Sequence, residues 1–224
     1  MAVLDVEGLT MSYADKKLYE DASFQLEKHE HMGIVGQNGA GKSTLIKILI
    51  GKTLPVEGSI KWQKGVKIGY LDQYVDIPKG MTLIEFLHTA FADLYQLNDQ
   101  MNQLYQDYAS EMDDKLLAKA GQIQEKLDAN NFYEIETEID RVMNGLGLTE
   151  IGKDHVVSEM SGGQRSKIIL AKMLLENPDV ILLDEPTNYL DTAHIEWLID
   201  YLNNYDGAAM IISHDYDFLE QVTN

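Results

Sequence analysis

The chain has 224 residues and a formal net charge of -19, from 37 acidic and 18 basic side chains; such a chain repels polyphosphate except where its few cations gather, which counts against broad, nonspecific nucleic-acid binding. A hydrophobic share of 45% is enough to bury a real core, and the lack of cysteine excludes a disulfide framework or a thiolate metal site and fits a reducing cytoplasm. The opening MAVLDVEGLT has no basic region leading into an apolar stretch, and no segment approaches the roughly 18 apolar residues of a membrane span, so neither a signal peptide nor direct membrane insertion is expected.

Residues 3–9 and 22–26 alternate apolar and polar side chains, as half-exposed strands do. HMGIVG (31–36) is a short apolar run entering glycine and reads as a buried strand. In KSTLIKILIG (42–51) apolar residues at 45, 46, 48, 49 and 50 read as a helix that stops at Gly51. GSIKW (58–62) and VKIGYL (66–71) read as strands joined by a turn. From Thr82 to about Leu148 there is no proline, and apolar residues recur at helical spacing: Leu97, Met101, Leu104, Tyr105 and Tyr108, then Met112, Leu116, Ala120, Ile123 and Leu127, then Phe132, Ile135, Ile139, Val142 and Met143. This predicts three or more helices, two of them a hairpin turning near Ser110. VILLDE (180–185) and AAMIISHD (208–215) read as central parallel strands with polar residues at their C-terminal ends, where ligands sit in open α/β sheets.

Three motifs carry chemistry. GQNGAGKST (36–44) holds Gly36, Gly41, Lys42 and Ser43 at the spacing of a phosphate-binding loop, between a predicted strand and a predicted helix. Gly36, Gly39 and Gly41 free the backbone to turn N–H groups toward phosphate oxygens, and the helix start adds its positive end; Asn38 and Thr44 belong to the same loop. Lys42 would reach the β- and γ-phosphates of ATP, and the Ser43 hydroxyl would ligate Mg²⁺. In VILLDEP, Asp184 suits a water-mediated Mg²⁺ ligand and Glu185 the group that orients or deprotonates a water. In SGGQR (161–165), Ser161 is a good helix N-cap, and Gly162, Gly163 and Gln164 open a second anion-binding helix start. The histidines at 29, 31, 88, 155 and 194 read as solvated or capping.

In this order the phosphate loop, SGGQ, LLDEP and a later SHD resemble the nucleotide-binding domain of an ATP-binding cassette (ABC) protein over nearly the whole chain. The resemblance implies an α/β P-loop NTPase with a mostly parallel core sheet, an antiparallel β subdomain and a helical subdomain (82–148) set into a catalytic core (1–81 and 149–224). It implies a composite site, with ATP held between one phosphate loop and the SGGQ helix of a second cassette. It further implies that Gln73 of YLDQ contacts Mg²⁺ and the attacking water, that His214 of ISHD lies near the γ-phosphate, that Tyr13 stacks on adenine and that Asp191 of NYLD works across the paired cassettes.

DEPTNYLD and SHDYDFLEQV resemble segments of the ABC-F group, whose cassettes act on ribosomes, with Tyr189 where that group more often has histidine. Gln73 and Ser161 lie 88 positions apart, more than the subdomain of a transporter subunit needs. The surplus, about residues 93–136, resembles the helical hairpin that the group calls the arm. The implied protein is an ATPase of the ABC-F type, a ribosome-associated translation or antibiotic-resistance factor; the alternative is the ATP-binding subunit of a membrane transporter. Between Thr82 and Asp140 there are 13 acidic residues and three lysines, an unfavourable surface for RNA phosphates. The chain stops ten residues after His214, whereas ABC-F proteins continue into a second cassette, so it is expected to be the N-terminal cassette of a longer protein.

Overall fold

The computed structural model describes residues 1–13, 16–71 and 77–224. Two compact units emerge, Met1–Tyr74 with Asn177–Asn224, and Val75–Glu176.

The first unit holds two sheets. Strand β1 (Ala2–Tyr13) lies between β2 (Lys16–Glu27) and β4 (Glu57–Trp62), both antiparallel to it. Val3, Leu4, Val6, Leu9 and Met11 are buried, and the register slips near Gly8, whose φ of 61° suits glycine. The second sheet is parallel, in the order β3 (His31–Ile34), β7 (Ala208–Ile212), β6 (Val180–Asp184) and β5 (Ile68–Tyr70). Val180–Leu183 and all of β7 are buried, as expected of parallel strands covered on both faces. Helix α1 (Lys42–Leu49) places Ile46, Ile48 and Leu49 in one core with Leu4, Val6 and Leu9 of the first sheet and Leu182, Met210 and Ile212 of the second.

The strands expected at 58–62 and 66–71 are both present, and they lie in different sheets: β4 pairs with β1, and β5 with β6. The turn exists, with Val66 N–H donating to Gln63 O, but it is a crossing point. Each strand follows its long-range partners and not its neighbour in sequence.

The second unit is helical. Helix α2 (Leu83–His88) starts at a capping box in which Thr82 and Glu85 satisfy each other, and the bonds from Thr82 hold the Glu85 carboxyl below its ordinary pKa. Helices α3 (Ala92–Glu111) and α4 (Asp114–Ala129) form the expected hairpin around Met101, Ala120 and Leu127, joined by Leu97, Leu104, Ile123 and Phe132. Met112 does not belong to the apolar stripe. It turns the chain at φ 53° and is 74% exposed, and Asp113 restarts the helix by accepting from Lys115 N–H. Tyr105 also stands out in solvent. Helix α5 (Ile135–Gly145) buries Ile135, Ile139, Val142 and Met143. Helix α6 (Gly162–Leu175) packs on α2 and α5, so the helical unit is wider than residues 82–148. In the first unit, α7 (Thr192–Asn203) and α8 (Tyr216–Val222) pack on each other.

Among the described residues no helix is long and apolar enough to cross a membrane. His31 is not solvated, but it caps the C-terminal end of α8. It is buried, with Nδ1 2.9 Å from Val222 O; since a carbonyl only accepts, that nitrogen carries the proton.

Candidate active site

The site begins where β3 ends. Residues 36–41 leave the sheet, and α1 starts at once behind Gly41, which is its N-cap in the left-handed region at φ 101°. No side chain caps this helix, so the first-turn N–H groups of Lys42, Ser43 and Thr44 have no acceptor within it. Gly39 is also left-handed, at φ 75°. Two glycines that tolerate such angles and an uncapped helix start make a concave array of donors, suited to an anion with several oxygens. Lys42 folds back along the loop, with Nζ donating to Gly36 O (2.8 Å) and Gln37 O (3.2 Å).

The carboxylates arrive on a different strand. Asp184 is the last residue of β6, beside Ile212 of β7, and it is half-buried. Glu185 leaves the strand with φ 51°, a conformation costing a non-glycine residue about 1 kcal/mol or more. Its backbone N–H donates to Ile212 O at 2.8 Å, which anchors the kink. The kink turns the side chain toward the end of β7. There His214 N–H donates to Glu185 Oε2 at 3.2 Å, and His214 Nε2 lies 3.2 Å from Oε1. The Glu185 carboxylate is 18% exposed, while His214 is half open to solvent.

These pieces enclose one cavity of about 410 Å³. Residues from Asn38 to Thr44 form one wall, and Asp184, Glu185, Asn188 and His214 the other. Predicted residues more than 140 positions apart thus converge at the C-terminal ends of parallel strands. A profile of the ABC transporter family matches residues 19–188, which span both walls except for His214. The chain belongs to the ABC transporter family.

Relatives of this cassette agree. It is 44% identical over its whole length to the uncharacterized ABC transporter ATP-binding protein YfmM of Bacillus subtilis, covering 44% of that protein. It is 33% identical over 97% of its length to ABC transporter F family member 5 of Arabidopsis thaliana, covering 32% of it. Against the energy-dependent translational throttle protein EttA of Mycobacterium tuberculosis it is 31% identical over 98% of its length, covering 39% of that protein. The whole chain also superposes on 36% of a chain in a crystal structure of the archaeal ribosome recycling factor aABCE1 with ribosomal stalk protein aP1, with a TM-score of 0.70 and 25% identity. These likenesses support an ABC-F type ATPase. The cassette spans less than half the length of these curated relatives.

Among the described residues, the other predicted ones do not line this cavity. Tyr13 ends β1, 51% exposed. Asp191 caps α7, accepting from His194 N–H at 3.2 Å, with His194 Nδ1 2.8 Å from the same carboxylate oxygen. Ser161 and Gln164 form a capping box at the start of α6: Ser161 Oγ accepts from Gln164 N–H, and Gln164 Oε1 from Ser161 N–H. The box leaves the N–H groups of Gly162 and Gly163 without helical acceptors. Gln73 lies outside the described residues.

Three neighbours escaped the sequence reading. Asn188 lines the cavity from the turn after β6. Lys16 Nζ donates to Gly39 O at 2.8 Å, and the Tyr19 hydroxyl donates to Gly41 O. Asn188 had a local signal, lying three residues after Glu185; Lys16 and Tyr19 had none.

Proposed function

We propose that this cassette binds MgATP in the cavity between residues 38–44 and Glu185, hydrolyses it when a second cassette closes over it, and belongs to an ABC-F type protein that works on the ribosome. The observation that carries the catalytic reading is the meeting of phosphate loop, Asp184, Glu185 and His214 around one cavity. The uncapped start of α1 and the left-handed glycines fit a triphosphate, and a Cβ at Gly41 would come within 3.0 Å of the Tyr19 ring.

Lys42 exchanges its loop carbonyls for phosphate oxygens, a stronger charge-assisted contact. The N–H groups of residues 42–44 hold the terminal phosphates. Ser43 and Asp184 would hold Mg²⁺, with Gln73 as a further ligand; when bound, the ion would supply positive charge against that building up on the transferred phosphoryl group. Among the described residues no cluster of three His, Cys, Asp or Glu side chains is set to hold a metal, so most ligands would come from phosphate and water. Glu185 accepts the proton of the attacking water, and His214 keeps the carboxylate aimed through its N–H. Tyr13 supplies a ring for the adenine. From the second cassette come the N–H groups equivalent to those of Gly162 and Gly163, with Asp191 at the joint.

This arrangement makes hydrolysis depend on concentration. At high dilution the isolated chain should turn over little or no ATP, and the specific rate should climb as chains meet; a rate per chain that stays constant across a hundredfold dilution contradicts the composite site.

The ribosome reading rests on the relatives: an F family member, a translational throttle protein and a recycling factor. Helices α3 and α4, proposed here as the arm, carry seven acidic residues and three lysines. Contacts with ribosomal RNA therefore fall on other surfaces. Co-sedimentation of the full-length protein, carrying Glu185→Gln and saturated with ATP, with 70S ribosomes tests this reading. Retention on ribosomes is expected; capture by a membrane permease instead overturns it.

A further inference from the structure

We infer that Tyr19 is a positioning residue for the nucleotide, its hydroxyl fixing the peptide that joins the phosphate loop to helix α1; this rests on the proposal that residues 36–44 hold phosphate. The hydroxyl donates to Gly41 O, which also accepts from Leu45 N–H at 2.8 Å. Both lone pairs of that carbonyl are thereby occupied. The carbonyl and the N–H of the following residue, Lys42, lie at opposite ends of one planar peptide. Pinning the oxygen onto the helix and Tyr19 therefore fixes where the Lys42 N–H points, and that N–H belongs to the phosphate-facing first turn.

The ring contributes as well as the hydroxyl. Side-chain atoms of Tyr19 lie so close that a Cβ on Gly41 would come 2.7 Å from Oη and 2.9 Å and 3.0 Å from two ring carbons. The left-handed glycine is thus backed by the ring, without room to relax toward it. Lys16, on the same strand, holds Gly39 O, so β2 grips both left-handed glycines of the loop. Burial raises the Tyr19 phenol to about 12, so it remains a donor at any pH at which the fold is studied. Tyr19 lies outside the cavity wall, so it acts through the loop and not by touching the ligand.

The test compares wild type with Tyr19→Phe, which keeps the ring and removes only the hydroxyl, by calorimetric titration with MgADP and separately with adenosine. The expected result is a 3- to 10-fold weaker MgADP dissociation constant in Tyr19→Phe, with unchanged affinity for adenosine and faster amide exchange at residues 42–45. A structural role alone would lower the melting temperature of Tyr19→Phe and leave MgADP affinity as in wild type, and that outcome overturns the inference. Should Tyr19→Phe misfold, Lys16→Met supplies the second arm: releasing Gly39 O is also expected to weaken MgADP, and unchanged affinity there overturns the grip of β2. Wild-type chain that binds no MgADP at all refutes the phosphate-site assignment itself, a result distinct from equal binding by wild type and variant.

Discussion

Replacing Glu185 by glutamine is expected to slow ATP hydrolysis by about 10²- to 10⁴-fold, the contribution typical of a positioned general base, while leaving MgATP affinity within about threefold. The structure separates these effects. Glutamine has the size of glutamate and keeps an oxygen for the His214 N–H that donates to Oε2 at 3.2 Å. The backbone kink at φ 51° is held by the bond to Ile212 O, which does not involve the side chain. What is lost is the ability to take a proton. In the proposed site nucleotide would be held by the other wall, residues 38–44, which the substitution does not touch. The measurement is steady-state phosphate release in the full-length protein, or at chain concentrations that allow pairing, beside a binding titration. A hydrolysis rate within threefold of wild type removes Glu185 from the mechanism.

Replacing Lys42 by alanine should act on the opposite half of this division. Its ammonium donates to Gly36 O and Gln37 O, so it already lies inside the loop, at the end of a half-buried side chain. A hydrogen bond to a charged group is worth about 1.5–3 kcal/mol, so the MgATP dissociation constant should rise about 10- to 150-fold. The fold should survive, because the core of α1 is made by Ile46, Ile48 and Leu49. Fluorescence titration with a nucleotide analogue, beside a thermal melt, reads both effects. Unchanged affinity in a folded variant would leave residues 36–44 as a glycine-rich turn without nucleotide.

Much of this was legible in the order of residues. The phosphate loop lay between a short apolar run and a helical pattern, and the structure has β3, a turn and α1 there. VILLDE announced a fully covered strand with acids at its end, and β6 is that strand. The helical spacing around residues 97–127 predicted a hairpin, and its turn lies within two residues of the expected position. Such features are local: periodicity, capping residues and glycine placement act within a few positions of the chain. The same locality misled at Met112, where an apolar residue in step with the helix ends it. Nor could it tell that β4 and β5, joined by a short turn, belong to different sheets.

The sequence by itself determined most of the strands and helices and pointed to the segment proposed to hold phosphate, because glycine freedom, helix starts and apolar periodicity depend on near neighbours. Only the tertiary structure decided that Glu185 faces His214, that Asn188 shares their cavity, that His31 is buried, and that Lys16 and Tyr19 grip the loop from β2. Those meetings depend on strand register and sheet order between residues 22 or more positions apart, and no local rule carries that information.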